Sequence, residues 1–173
     1  KYRRVRSVKN IIEEINEQLG TVEKINLPRK WKHTVFFVDE VFGDINNDEW
    51  LDEFGSTYRN EVGLPFYMET LPMKNLVNSK ILDQLAYAGV KVINFGIQTG
   101  SDDIRNRIFR RPTKNKDIIL IAKEIAARGI GVKSDLIADN PYETEETLKE
   151  TINLLFQLPK PLDFNYFQMQ WFP

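Results

Sequence analysis

Lys116–Ala138 reads KDIILIAKEIAARGIGVKSDLIA, and its two halves follow different rules. In the first half, Ile118, Ile121, Ala122 and Ile125 recur at helical spacing until Gly129 closes the run. In the second, Gly131–Ala138 packs apolar residues into a strand-length segment. A helix that passes directly into a strand, with no hairpin signal between them, is part of a βα unit.

The same grammar extends both ways along the chain. On the N-terminal side, Ser7 precedes Val8, Ile11, Ile12, Ile15 and Leu19, and Gly20 marks the expected end of that helix. His33–Val38 (HTVFFV) reads as a first strand, Asn47–Tyr58 as a helix interrupted only by Gly55, and Leu64–Leu71 as a second strand. Ser79–Ala86 predicts a helix ending at Gly89, and Val90–Ile97 a third strand. Beyond the fourth strand, Glu145–Leu158 predicts a helix stopped by Pro159, and Asp163–Trp171 a fifth strand. Strand–helix alternation of this kind predicts an α/β fold with a parallel sheet over residues 1–173 as a single domain. A doubly wound sheet and a barrel share the rhythm, and in both the ligand lies beyond the carboxyl ends of the strands.

Composition narrows the chemistry. The chain has 173 residues, 42% of them hydrophobic, with 24 Lys+Arg against 25 Asp+Glu and a net charge of −1. That is an ordinary globular balance with no basic footprint for duplex nucleic acid. No apolar run has the length of a membrane span, and the basic start Lys1–Arg6 lacks the apolar stretch of a signal peptide. The absence of cysteine excludes disulfides, a thiol nucleophile and any thiolate-held metal within these residues. A single histidine, His33, gives no catalytic dyad.

Polar residues collect at the expected strand ends: Asp39 and Glu40, then Glu69, then Gln98 to Ser101, then Asp135 to Thr144. Each alone reads equally as a helix cap or a turn residue. Together they describe one polar rim suited to a small ligand with amine and ribose groups. Arg105, Arg107, Arg110 and Arg111 follow the third strand. They read either as a solvated helix start broken by Pro112 or as a clamp for a carboxylate or phosphate.

Three segments carry a family resemblance: Phe37-Val38-Asp39-Glu40-Val41-Phe42, Gly96-Ile97-Gln98-Thr99-Gly100-Ser101, and Asp135-Leu136-Ile137 followed by Asn140-Pro141 and Glu143-Thr144. In order and spacing they resemble the radical S-adenosylmethionine (radical SAM) superfamily, in particular its branch with an upstream cobalamin-binding domain. Arg4–Ile15 is similar to the segment after those enzymes' first βα unit. The resemblance implies a partial (β/α) barrel of about five parallel strands with outer helices. It also implies S-adenosylmethionine and a [4Fe–4S] cluster held by CxxxCxxC as cofactors, with cobalamin possible. Reductive cleavage of the sulfonium would then start radical chemistry on a substrate, fed by a flavodoxin- or ferredoxin-like electron donor in the cytoplasm. Because no cysteine is present, the expectation is a segment lacking the first strand and cluster loop, inactive alone and binding no metal, with Thr34–Val38 left as an open sheet edge. A homologue that had lost its chemistry is the other account.

By the same resemblance, Asp39 and Glu40 face the methionine amino group, although the family's usual glycine-rich version of that motif is absent here. Gln98 and Ser101 meet the ribose or methionine part, Asp135 lies near the nucleoside, Arg110 or Arg111 pairs with the methionine carboxylate, and Glu69 faces substrate. Two other readings compete: a cluster-less βα scaffold for a nucleotide-like ligand or protein partner, and an unrelated barrel lyase using Lys133 for Schiff-base chemistry.

Overall fold

The computed structural model describes residues 5–24, 33–38 and 42–170, without the side chains of residues 23 and 24. Helix α1 (Val8–Lys24) is followed by strand β1 (Val35–Phe37), helix α2 (Asp48–Glu61) and strand β2 (Phe66–Thr70). A short 3-10 turn, Lys74–Val77, leads into α3 (Ser79–Ala88) and β3 (Val90–Gln98). The remainder is α4 (Asp102–Arg107), α5 (Asn115–Ala126), β4 (Gly131–Ala138), α6 (Glu145–Gln157) and β5 (Leu162–Gln168). All five strands are parallel and lie in chain order, β1-β2-β3-β4-β5. A doubly wound sheet would reverse its strand order at a switch point. Sequential order is that of a (β/α) barrel wall, so the topology decides between the two architectures that periodicity leaves open.

Local chemistry sets the element ends. The Asn47 side chain accepts from the Glu49 and Trp50 amides at 3.1 and 3.2 Å, capping α2, while Asp48 and Glu49 face the positive end of its dipole. Asn78 caps α3, and Gly89, at φ 111°, ends it in the left-handed conformation. Thr144 and Thr147 form a reciprocal capping box at the start of α6. Some ends differ from expectation: α1 runs through Gly20 to Lys24, and α2 continues past Tyr58 to Glu61. Gly20 lacks the positive φ of a helix-ending glycine such as Gly89, and the helix continues through it.

Alternation along the strands creates two unlike faces. Toward the helices point Phe66 and Met68 of β2, Ile93, Phe95 and Ile97 of β3, and Val132 and Leu136 of β4, all of them buried. They pack against Leu51, Phe54 and Tyr58 of α2, Leu82 and Leu85 of α3, and Ile118, Ile121 and Ile125 of α5, in one continuous core. Each such side chain contributes roughly 1.5–3 kcal/mol on burial. At the β1 end the core is aromatic, with Phe37, Phe42, Trp50, Phe54, Tyr58 and Phe66 in mutual contact and Trp50 stacked on Phe54 at 5.3 Å. β1 is an edge strand, as expected for Thr34–Val38, but shorter, and Phe36 and Val38 are exposed.

Candidate site at the carboxyl ends and inner face of the sheet

The other face of the sheet is polar. Parallel pairing sets Glu69 beside Asn94, Asn94 beside Lys133 and Lys133 beside Asp163. One step nearer the carboxyl ends, Gly96 lies beside Asp135, and Asp135 beside Asn165. The side chains of these rows find one another. Tyr67 donates its hydroxyl to Glu69 at 2.9 Å. Asn94 Nδ2 donates to Asp135 at 2.9 Å and lies 3.5 Å from Glu69, and Asn165 Nδ2 donates to the other oxygen of Asp135 at 2.8 Å. Burial, followed by the neighbouring Glu69 and Asp135 charges, raises the Tyr67 pKa above its ordinary value, so the phenol stays protonated. Asn94 is only 1% exposed, and its Oδ1 has no hydrogen-bond partner among the described residues.

At the end of β3 the backbone departs from regular pairing. The register slips between Gly96 and Gln98, and Gln98 has φ 69°, a conformation rare outside glycine. This turns the Gln98 side chain back over Gly96: a Cβ on Gly96 would lie 2.3 Å from Gln98 Nε2 and 3.2 Å from the Arg111 guanidinium. Arg111 itself reaches toward the Gly96 carbonyl at 3.5 Å. Asp139, just past β4, and Arg110 also have positive φ, 54° and 53°. Non-glycine residues held in this region cluster at functional sites, where surrounding structure over-determines them.

Arg105 holds this strand end in place. It is fully buried, and its guanidinium donates to the carbonyls of Ile97, Thr99 and Thr113, to Asp102 and to Asn115. The sequence offered this arginine as a solvated helix residue or an anion clamp. The structure corrects both: its donors are consumed by the protein, and burial lowers its pKa only against the compensating Asp102 charge. Gly100 works by close approach. A Cβ there would stand 2.2 Å from Thr151 Cα, and the Gly100 amide donates to Thr151 Oγ1 at 2.7 Å. Thr99 adds a bond to Glu143 at 2.8 Å, so α6 is pinned to the end of β3.

Of the residues expected at the site, Gln98 and Arg111 meet over Gly96, with Asp135 alongside and Glu69 deeper on the same face. Ser101 is buried at the N-terminus of α4, and Arg110 is exposed. Asp39 and Glu40 lie outside the described residues. Lys133, the Schiff-base candidate, is ion-paired with Asp163 at 3.2 Å. Tyr67, Asn94 and Asn165 were not anticipated. Tyr67 and Asn165 alternate with Glu69 and Asp163 along their strands, whereas Asn94 stands between Val92 and Gly96 and carries no such signal. No group of three or more potential metal ligands occurs among the described residues, and no helix there is long and apolar enough to cross a membrane.

A sequentially ordered parallel sheet with its polar, strained positions at the carboxyl ends is the organisation of a (β/α)-barrel ligand site. The family model described as the radical SAM superfamily matches residues 1–155, and the chain belongs to that superfamily. No curated protein matches the sequence. Among solved structures, the cobalamin-dependent S-adenosylmethionine radical enzyme OxsB with aqua-cobalamin bound is similar at TM-score 0.71 and 21% identity, over 91% of this chain and 24% of OxsB. Methylornithine synthase (PylB) is similar at TM-score 0.62 and 16% identity, over 90% of this chain and 44% of PylB. The radical S-adenosylmethionine methyltransferase TsrM from Kitasatospora setae, with cobalamin and a [4Fe–4S] cluster bound, is similar at TM-score 0.55 and 18% identity, over 69% of this chain and 24% of TsrM. These likenesses establish a shared fold. The chain spans about a quarter of the length of OxsB.

Proposed function

We propose that this chain is the cofactor-binding core of a radical SAM enzyme, holding S-adenosylmethionine at the carboxyl ends of its strands. The observation that carries the reading is the end of β3, where Gln98 at φ 69° folds its amide over the bare Gly96 backbone next to Arg111. The Gln98 amide takes the space that a Cβ on Gly96 would fill, that amide can both donate and accept, and the guanidinium matches a carboxylate. These residues fit the polar end of S-adenosylmethionine: Arg111 toward its carboxylate, Gln98 toward hydroxyls of its ribose. Ser101, Arg110, Asp135, Asp39 and Glu40 are proposed as further contacts on the strength of family membership.

When bound, S-adenosylmethionine supplies a sulfonium whose reductive cleavage starts the radical chemistry. The residues described here orient it and exclude water. The iron–sulfur cluster is a different case. Thiolates hold such clusters and this chain has no cysteine, so the residues present do not fit it. Its ligands, like the docking surface for an electron donor, are proposed to lie elsewhere in the full-length protein. Cobalamin as an additional cofactor of the whole protein rests on the likeness of fold to OxsB and TsrM.

The test is calorimetric titration of S-adenosylmethionine into the full-length protein and its Gln98→Gly variant, which keeps the left-handed backbone accessible while deleting the amide. Binding should weaken by about 1–3 kcal/mol, with anaerobic release of 5′-deoxyadenosine falling in parallel. Unchanged affinity would show that the end of β3 does not carry the ligand. Failure of the intact protein to bind S-adenosylmethionine at all would favour the scaffold reading.

A further inference from the structure

We propose that Lys114 and Lys116 form the outer part of a basic lip beside the cofactor site and bind a phosphate group of the substrate. The inference deepens the cofactor reading above and rests on it for the role of that phosphate as part of a substrate.

The first observation is unpaired charge. Arg110, Arg111, Lys114 and Lys116 place four cations within seven residues, and none has an ion-pair partner among the described residues. The acids that flank the segment are already taken: Asp102 pairs with Arg105 at 2.8 Å, Asp103 with Arg107 at 3.2 Å and Asp117 with Lys74 at 3.3 Å. Arg110, Lys114 and Lys116 are exposed, and Arg111 turns inward toward the Gly96 carbonyl. A strip of positive charge therefore runs outward from the site.

The second observation is that the two lysines stand where folding disfavours them. Lys114 is the N-cap residue of α5 and makes no capping bond, and Lys116 lies in the first turn. Both sit at the positive end of the helix dipole, where a cation costs stability and an Asp or Ser would add to it. Their segment is nevertheless held rigidly. Thr113 donates its hydroxyl to the Pro72 carbonyl at 3.0 Å, and its own carbonyl accepts from the buried Arg105 at 2.9 Å. The Asn115 backbone amide donates to Asp102 at 2.9 Å, and its side chain donates to the Gly100 carbonyl at 2.6 Å. Charges fixed in place before a ligand arrives bind it without the cost of ordering a loop.

Position and chemistry name the ligand. Helices of a parallel βα sheet run back against their strands, so the start of α5 lies at the carboxyl ends. Helical side chains lean toward the N-terminus, which carries Lys116 toward the same rim. Lys114 follows Arg111 by three residues, at most about 11 Å of chain, so a molecule held beside the cofactor meets the lysines next. A carboxylate is matched by one guanidinium. Two ammonium point charges suit a phosphate monoester, which carries nearly two negative charges and three acceptor oxygens. An amine would be repelled, and a hydroxyl would gain nothing from the charge.

Saturation-transfer NMR on the full-length protein, loaded with S-adenosylmethionine, tests the proposal with n-butyl phosphate, n-butyrate and n-butanol. n-Butyl phosphate should bind about tenfold more tightly than n-butyrate, and n-butanol should not bind. The double variant Lys114→Gln/Lys116→Gln should weaken n-butyl phosphate about fivefold or more, with S-adenosylmethionine affinity unchanged and stability equal or higher. Lys91→Gln/Lys123→Gln removes the same charge from two exposed lysines away from the lip and should leave n-butyl phosphate binding unchanged. Equal binding of n-butyrate, no binding of n-butyl phosphate at about 10 mM, or an equal loss in the two double variants overturns the lip. Displacement of n-butyl phosphate by S-adenosylmethionine overturns it too, because the lip would then hold the cofactor's own carboxylate. So does far tighter binding of a short oligothymidylate through the same lysines, which would make the strip a nucleic-acid surface. Should the lip variant fail to fold, the intact protein still decides through its preference for n-butyl phosphate over n-butyrate. If n-butyl phosphate binds through Lys114 and Lys116 to a protein that does not bind S-adenosylmethionine, the cofactor reading falls and the phosphate site stands.

Discussion

Asn94 and Phe95 are consecutive residues of β3, both almost fully buried, and they face opposite ways. Phe95 enters the apolar core beneath the helices. Asn94 enters a cluster of two carboxylates, a phenol and a second amide. The first environment gains free energy simply by excluding water. The second gains little from folding, because each buried polar contact replaces one made to water. One pair of neighbours therefore separates the face that holds the sheet together from the polar face of the sheet.

The division can be broken most directly at its apolar half. Phe95→Ala should cost about 3–5 kcal/mol in a urea melt, from lost transfer energy and the cavity left behind. Arg105→Met comes next, at about 3 kcal/mol, because three carbonyls and the Asn115 amide oxygen lose their buried donor. Its S-adenosylmethionine affinity should fall as well, since the backbone around Gln98 is then unheld. Gly100→Ala should cost about 1–3 kcal/mol by forcing α6 away from the end of β3, read as the same melt. Asn94→Ala should cost about 1 kcal/mol or less, since water can reach the half-buried carboxylates it served. A loss comparable with that of Phe95→Ala would mean that the inner face is structural after all.

The smallest effect sharpens the comparison through pH. In the unfolded chain Tyr67 ionises near its ordinary value of 10.0, whereas in the folded chain its pKa is raised. Above about pH 10 the unfolded state therefore binds fewer protons than the native one, and stability falls as pH rises. Tyr58, also raised by burial, acts in the same direction. Tyr67→Phe should make that alkaline fall shallower while leaving the dependence around pH 7 unchanged, as followed by denaturant melts across the range.

Much of this division was legible in the sequence because both of its halves obey short-range rules. Gly131–Ala138 was bounded as a strand to the residue, and Asn47, Gly89 and Thr144 bracket helices by chemistry that neighbouring residues complete. What escaped was set by loop backbone and cross-strand contacts that no periodicity announces. α4 is only six residues long, and its one fully buried charge, Arg105, is satisfied by carbonyls of residues 97, 99 and 113. No local pattern distinguishes it from Arg107, which remains on the surface. Gln98 and Arg111 were singled out as site residues, but their meeting over Gly96 depends on a register slip that no periodicity announces. Asn94 went unnoticed because its partners, Glu69 and Asp135, come from the two flanking strands.

The bond from the Gly100 amide to Thr151 Oγ1 has a consequence for how this molecule breathes. Most amides near the site sit in helix or sheet ladders and exchange their hydrogens only when those ladders open. This one is sheltered by a side chain of α6, a helix with one buried residue, Leu154. Its exchange in deuterated solvent therefore clocks a single event, the lifting of α6 from the end of β3. A bound ligand that rests on Gly96 and Gln98 would slow that clock without touching the helix.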